Sequence, residues 1–425
     1  MTARVALAAL LVLGLVAAPA HAGEPDATAP AYDLALRGSD RGLRWTGRET
    51  LTITNPGATP LTRVWIRLWG NGVPGCGGRR PVTIGNVAGA VAGRLAVRCT
   101  AVPLALSVPI APGARGSVAF DVGIRVPRRP GRFGRRGRLA LLSNAIPALA
   151  HLEGGRWRLD RYFGAGETWT YPAADWTVRL DPPPGTQVAA PGVLGAGGVR
   201  RLQHGRDFSF AAGRLRSKAA TIDGVRVTVW AVRSRHRSGL DRVLRIARTR
   251  LPRLAARFGP YGWPDLQIVI NRDAAMEHTG LIMSPPQDFV VTHELAHEWW
   301  YALISDDQAL APWLDEGFAS YAEEAAGSQQ RPWCRHPRRG AGLVTKPVDF
   351  FRGRRIAAYG FVYTEGACLL DVLRKRMGAA RFDAALRGYA LSHRYGWSTA
   401  AAFRAAMDAA SPVPLGDLWA RYRVA

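Results

Sequence analysis

Two histidines four residues apart, His293 and His297, frame the segment His293-Glu294-Leu295-Ala296-His297. On an α-helix, side chains at this spacing share a face. Both imidazoles therefore reach one point, which Zn–N bonds of ~2.0–2.1 Å demand. Glu294 is displaced around the helix, too far round to be a ligand but close to the metal's open side. There it can take a proton from water. The same five-residue pattern also arises in helices with two hydrogen-bonded core histidines, so a metal site needs a third ligand. Eighteen residues separate His297 from Glu316, in Trp313-Leu314-Asp315-Glu316-Gly317-Phe318-Ala319-Ser320-Tyr321. Two His and one Glu leave a fourth position for water, which marks an open hydrolytic zinc site rather than a closed structural one. The expected ligands are His293, His297 and Glu316, with Glu294 as general base and one Zn2+ per chain.

These residues need two helices that face each other. Val290, Val291, Leu295 and Trp299 give the histidine segment an apolar side, and the pattern predicts a helix over 289–304. Asp306, Asp307 and Pro312 mark a connection in which the chain reverses, and a second helix is predicted over 314–327. Further helices are predicted over 359–377, 381–392, 398–409 and 415–423. Upstream, Ser238 opens a helical pattern with Leu240, Val243, Leu244, Ala247, Leu251 and Leu254 on one face, and a strand is predicted over 266–270. From Tyr32 to about Lys218 the reading is β. Short runs such as Leu51-Thr52-Ile53-Thr54 recur between turn clusters such as Asn55-Pro56-Gly57. The expected fold is α+β: a leader over 1–22, a β-rich, sandwich-like N-terminal domain over 23–218, and a mostly helical domain over 219–425. The boundary falls between 212 and 238.

The arrangement resembles the gluzincin zinc metallopeptidases of the aminopeptidase N family. The resemblance rests first on H-E-L-A-H, eighteen residues, then Glu in L-D-E-G-F-A-S-Y. Ala275-Met276-Glu277-His278-Thr279-Gly280-Leu281 resembles the family's G-A-M-E-N-W-G-L stretch, and Val362-Tyr363-Thr364-Glu365-Gly366-Ala367 its V-Y-E-K-G-A stretch. The landmarks span 275–367 in the family's order, and the β-rich region suits its first domain. The resemblance implies a thermolysin-like catalytic domain that removes N-terminal residues from peptides. Glu277 would bind the free α-amino group, and the backbone of Ala275 and Met276 would lie along the bound peptide. Tyr363 would donate to the oxyanion of the tetrahedral intermediate, with Tyr359, one turn earlier, as the alternative. The family's Asn and Trp are His278 and Thr279 here, Gln after the second ligand is Glu298, Asn before the third is Asp315, and Lys after the tyrosine is Glu365. Asp315 could orient a ligand histidine. These departures leave the zinc chemistry intact and bear on side-chain preference. The sequence ends at 425 without the large C-terminal helical domain of many relatives, which implies a more open cleft. A zinc endopeptidase on the same scaffold, which does not need Glu277, is the alternative activity. A non-catalytic extracellular binding protein is a third reading, against which stands the retention of every ligand and of Glu294.

Composition bounds the partners. Formal net charge is +25, and of 57 basic residues only Lys218, Lys346 and Lys375 are lysines. The arginines are spread along the chain, and the dense run over 125–138 has one aromatic, Phe133, so it lacks the interleaved stacking residues of a single-strand binder. It reads as a solvated loop, and peptides rather than nucleic acid are the expected partners. Arg4, the apolar run over 5–18 and Ala20-His21-Ala22 form a secretory signal peptide cut after Ala22. The run is short for a span of ~20 residues, and no later segment is apolar enough, so the mature chain is expected outside the cytoplasm without stable membrane insertion. Export permits disulfides, and local pairing of Cys76 with Cys99 and of Cys334 with Cys368 is the simplest connectivity.

Overall fold

The computed structural model describes residues 27–233, 237–327, 334, 340–354 and 356–424. The expected leader, 1–22, lies outside the described residues.

As far as Gly213 the chain builds sheets. In the centre of a seven-stranded sheet, Ala31–Ser39, Arg44–Thr54 and Arg115–Arg125 run antiparallel, and Ala31–Ser39 also pairs in parallel with Ala174–Asp181. Side-chain alternation sends Trp45, Leu51, Val118, Phe120 and Val122 inward. Leu61–Arg67 and Ala101–Ile110 are the antiparallel heart of a four-stranded sheet whose Val64, Ile66, Val102 and Leu104 join the same core. A further four-stranded sheet contains Phe133–Arg136, Leu139–Leu142 and Phe210–Gly213.

The second unit opens with a hairpin of Leu215–Ile222 and Val225–Val232, so the sheets change a few residues before the expected 218/219 division. Asp223 and Gly224, both at positive φ, make its two-residue turn. Val225–Val232 runs parallel to Asp265–Ile270, which requires a crossover, supplied by the helix Arg237–Phe258. That helix buries the predicted face, Leu240 to Leu254. Leu281–Ser284 extends the sheet in parallel, and the three residues Met276–His278 close it as an antiparallel edge strand. The remaining chain is mainly helical: Asp288–Ala296, Pro312–Ala325, Ile356–Met377, Ala379–Ser392, Ala400–Ala410 and Gly416–Tyr422.

The histidine helix stops at Ala296 and does not run to 304. Beyond it, Ala302, Leu303 and Ile304 donate to the carbonyls of His297, Glu298 and Trp299, a five-residue spacing that unwinds the α-helical ladder. The helices Pro312–Ala325 and Ile356–Met377 meet glycine on glycine. A Cβ on Gly317 would lie 2.9 Å from Cα of Gly366. The disulfides are Cys76–Cys99 and Cys334–Cys368, as the local pairing predicts. Among the described residues no helix is long and apolar enough to cross a membrane.

Candidate metal centre and cleft

His293 and His297 turn their Nε2 atoms toward each other at 3.1 Å. Glu316 Oε2 lies 3.1 Å from His293 Nε2 and 3.4 Å from His297 Nε2. Four-coordinate zinc with bonds of ~2.0–2.1 Å places its ligand atoms ~3.3 Å apart, so the triangle fits one face of such a site. The other ring nitrogens are also held. His297 Nδ1 is 2.6 Å from Asp315 Oδ1, and His293 Nδ1 is 3.4 Å from Glu323 Oε2. When each Nδ1–H faces its carboxylate, both Nε2 lone pairs and a carboxylate oxygen converge on one point. A metal cation at that point satisfies all three acceptors at once. Burial pulls the His293 imidazole toward the neutral form, but its bonds to Glu316 and Glu323 outweigh this and raise its pKa to about 9. Burial would raise the Glu316 carboxyl, yet the two histidines hold it well below the carboxylate range.

Glu294 leaves the helix beside this triangle, 4% exposed, with Oε2 unpartnered. Burial, only partly offset by His293 and His297, pushes its pKa up to about 7, where a general base works best. The Tyr363 hydroxyl donates to Glu316 Oε1, the oxygen facing away from the histidines. Its ring lies 5.9 Å from that of His293, inclined by 24°. Tyr359 instead packs between Phe163 and Phe351 with its hydroxyl buried and unpartnered. Of the two candidates, Tyr363 is the one that touches the ligand set.

Glu277 sits in the edge strand, 5% exposed, with Oε1 unpartnered. Burial, then the charge of Glu167, lifts its pKa well above the carboxylate range, while His297 draws it down. Ala275 lines a cavity of about 380 Å³ walled by Trp69, Phe133, Tyr162 and Trp169. Met276 is fully buried and pairs with Met283. Asp315 orients His297, as its charge and position suggest, whereas Glu298 faces Gly280 N–H at 3.1 Å and the Tyr261 hydroxyl at 3.4 Å.

Three participants have no signal in the sequence. Glu167 reaches in from the β-rich unit, with a carboxylate oxygen within 4.8 Å of oxygens of Asp315 and Glu316. Burial raises its pKa to about 8, against the pull of Arg132 at 2.5 Å. Arg132 belongs to the 125–138 run, which is not simply a solvated loop. Phe133–Arg136 is a strand, and Arg136 pairs with Asp273 at 3.0 Å. Glu323, two turns beyond Glu316, is the third.

No family model matches the chain. Aminopeptidase M1-B of Oryza sativa subsp. japonica is 27% identical over 237 residues, 47% of this chain and 27% of that protein. Aminopeptidase N of Lactobacillus helveticus is 25% identical over 252 residues, 49% of this chain and 30% of that one. The chain thus spans less than a third of the length of either relative. Its fold is shared along nearly the full length with an M1 zinc metallopeptidase from Deinococcus radiodurans, at a TM-score of 0.66, 21% identity, and coverage of 95% of this chain and 94% of that one. A mutant of that enzyme bound to a Tyr-Ser-Ala substrate matches equally well. The two-part fold is that of the M1 zinc metallopeptidases, as the motif resemblance implies.

Proposed function

We propose that the chain is a zinc aminopeptidase that removes N-terminal residues from peptides, with one zinc held by His293, His297 and Glu316. The observation that carries this reading is the convergence of two Nε2 atoms and one carboxylate oxygen, at 3.1–3.4 Å, beside an unpartnered buried carboxylate at Glu277. Zinc, when bound there, supplies a Lewis acid that acidifies water and polarises a carbonyl. Glu294, poised near neutrality, takes the proton of the attacking water and returns it to the leaving amine. The Tyr363 hydroxyl donates to the developing oxyanion. Glu277, within electrostatic reach of Glu167, receives the ammonium group of the substrate. The buried Glu277 carboxyl, whose pKa is raised by burial and by Glu167, ionises against an arriving ammonium and gains nothing from a blocked, neutral N-terminus.

The test compares free and N-acetylated peptides and amino-acid anilides on protein whose zinc content is measured. Cleavage one residue from a free amino end, lost with phenanthroline and restored by zinc, supports the reading. Internal cleavage of blocked peptides at equal rates would make the chain an endopeptidase with the same zinc chemistry.

The chain is also proposed to act outside the cytoplasm, released by cleavage after Ala22. The apolar run over 5–18 and the two disulfides support this. Mature protein beginning at Gly23 in the exported fraction is the expected result.

A further inference from the structure

His278 stands where the resembled family has asparagine, and it is 1% exposed. Its two ring nitrogens are engaged on opposite sides. Nε2 lies 2.6 Å from Ser143 Oγ, and Nδ1 lies 2.5 Å from Asp207 Oδ2. Both partners come from the β-rich unit. Ser143 follows the strand Leu139–Leu142, Asp207 precedes Phe210–Gly213, and these strands pair with Phe210 opposite Leu142. The imidazole is therefore a strut fixed at both ends to one sheet end. An asparagine side chain is too short to bridge the two.

Asp207 ties down more than His278. Its Oδ1 accepts from Thr279 N–H at 3.1 Å and lies 3.3 Å from the Tyr301 hydroxyl, and its Oδ2 accepts from Ser209 at 2.8 Å. Burial would raise its pKa, but His278, Ser209 and Thr279 outweigh burial and keep it ionised. Tyr301 lies four residues past the ligand His297, and His278 lies next to Glu277. One buried carboxylate thus anchors both the strand bearing Glu277 and the chain leaving the histidine helix. The edge strand is only three residues long and pairs with one neighbour, so its own ladder gives it little lateral stiffness.

We propose that His278 is a positioning residue for amine recognition: bridging Ser143 and Asp207, it locks Glu277 in place relative to the metal ligands. The inference rests on the amine-binding reading of Glu277 and adds the device that holds it. A triad of this composition elsewhere activates a serine, but here Ser143 is 2% exposed and its neighbour Asn144 spends its N–H on Ser209. Rigidity rather than nucleophilicity is the product.

The test measures calorimetric binding of L-leucine and N-acetyl-leucine to zinc-loaded Glu294→Gln protein carrying in addition His278→Ala, Ser143→Ala or Glu277→Ala. Kinetics with leucine anilide follow in the chain that retains Glu294. In both strut variants, L-leucine affinity should fall by about tenfold and N-acetyl-leucine affinity should not change, while KM rises about tenfold with kcat within about threefold. Zinc content should match the parent. A role in folding alone would lower zinc content and kcat together. Ser143→Ala removes one hydroxyl and decides the matter if His278→Ala does not fold. Parental L-leucine affinity in Ser143→Ala and in any folded His278→Ala, with weakened affinity in Glu277→Ala, overturns the inference alone. Parental affinity in Glu277→Ala overturns the amine reading and this inference with it.

Discussion

Replacing Glu277 by glutamine keeps the length and shape of the side chain and removes its charge. The carboxylate is 5% exposed and has one unpartnered oxygen, so the substrate ammonium it meets is largely stripped of water. At ~4 Å and an effective dielectric of ~20, the attraction is ~4 kcal/mol. Stripping water from the ammonium and ionising a carboxyl whose pKa burial has raised offset part of this, and Glu167, though paired with Arg132, adds negative charge nearby. About half should survive as net loss, ~2 kcal/mol, or roughly a 30-fold rise in KM for free-amine substrates. The contact is made equally in ground and transition states, so kcat should change far less than KM. N-acetylated peptides carry no cation and should be handled no worse by Glu277→Gln than by the parent. The assay is a pair of kcat and KM determinations on leucine anilide and its N-acetyl form, with zinc measured in both proteins. A KM within threefold of the parent for the free amine, at equal zinc content, would falsify the assignment of Glu277.

Glu294→Gln should retain zinc and lose ~10²–10⁴-fold in kcat, read by metal analysis and steady-state rates; zinc loss in this variant but not in Glu316→Gln would exchange their roles. Tyr363→Phe should lower kcat by ~10²–10³-fold with little change in KM, whereas Tyr359→Phe should stay within a fewfold of the parent. A stability prediction concerns Glu49, which points into the core of the seven-stranded sheet, fully buried, with neither oxygen partnered. Burial raises its pKa well above the usual value, so its contribution is most favourable below the unfolded pKa and is lost as pH rises through the folded one. Glu49→Leu should therefore stabilise the protein by roughly 1–3 kcal/mol at pH 8 and by clearly less at pH 5, measured by urea unfolding at both. An equal gain at the two pH values would contradict the buried-acid account.

The proposed ligand triangle was readable because each member obeys a local rule. His293 and His297 share a helical face, and Glu316 opens the next helix after a connection rich in breakers. Asp315 was readable as a ligand's neighbour by adjacency alone. Glu277 and Tyr363 became visible through the motif resemblance, since a three-residue edge strand is too short for periodicity to mark and a tyrosine on a long helix reads as structural. Glu167 and Arg132 had no such handle. They approach the centre from the other unit by tertiary packing, and a lone glutamate among glycines carries no spacing signal. The histidine helix was read too long because the apolar pattern continues through Trp299 to Ile304, while the backbone there widens to five-residue bonds.

The contact between Gly317 and Gly366 limits how this centre can vary over time. Each glycine lies close in sequence to a side chain of the proposed centre, Glu316 on one helix and Tyr363 on the other. A methyl group at either position meets the opposite backbone, and no rotamer moves it aside. A single change at either place therefore spreads both helices and displaces the carboxylate and the phenol in one step. Drift that could tune them separately is closed off here. Lineages of this chain should keep both glycines or lose the pair together.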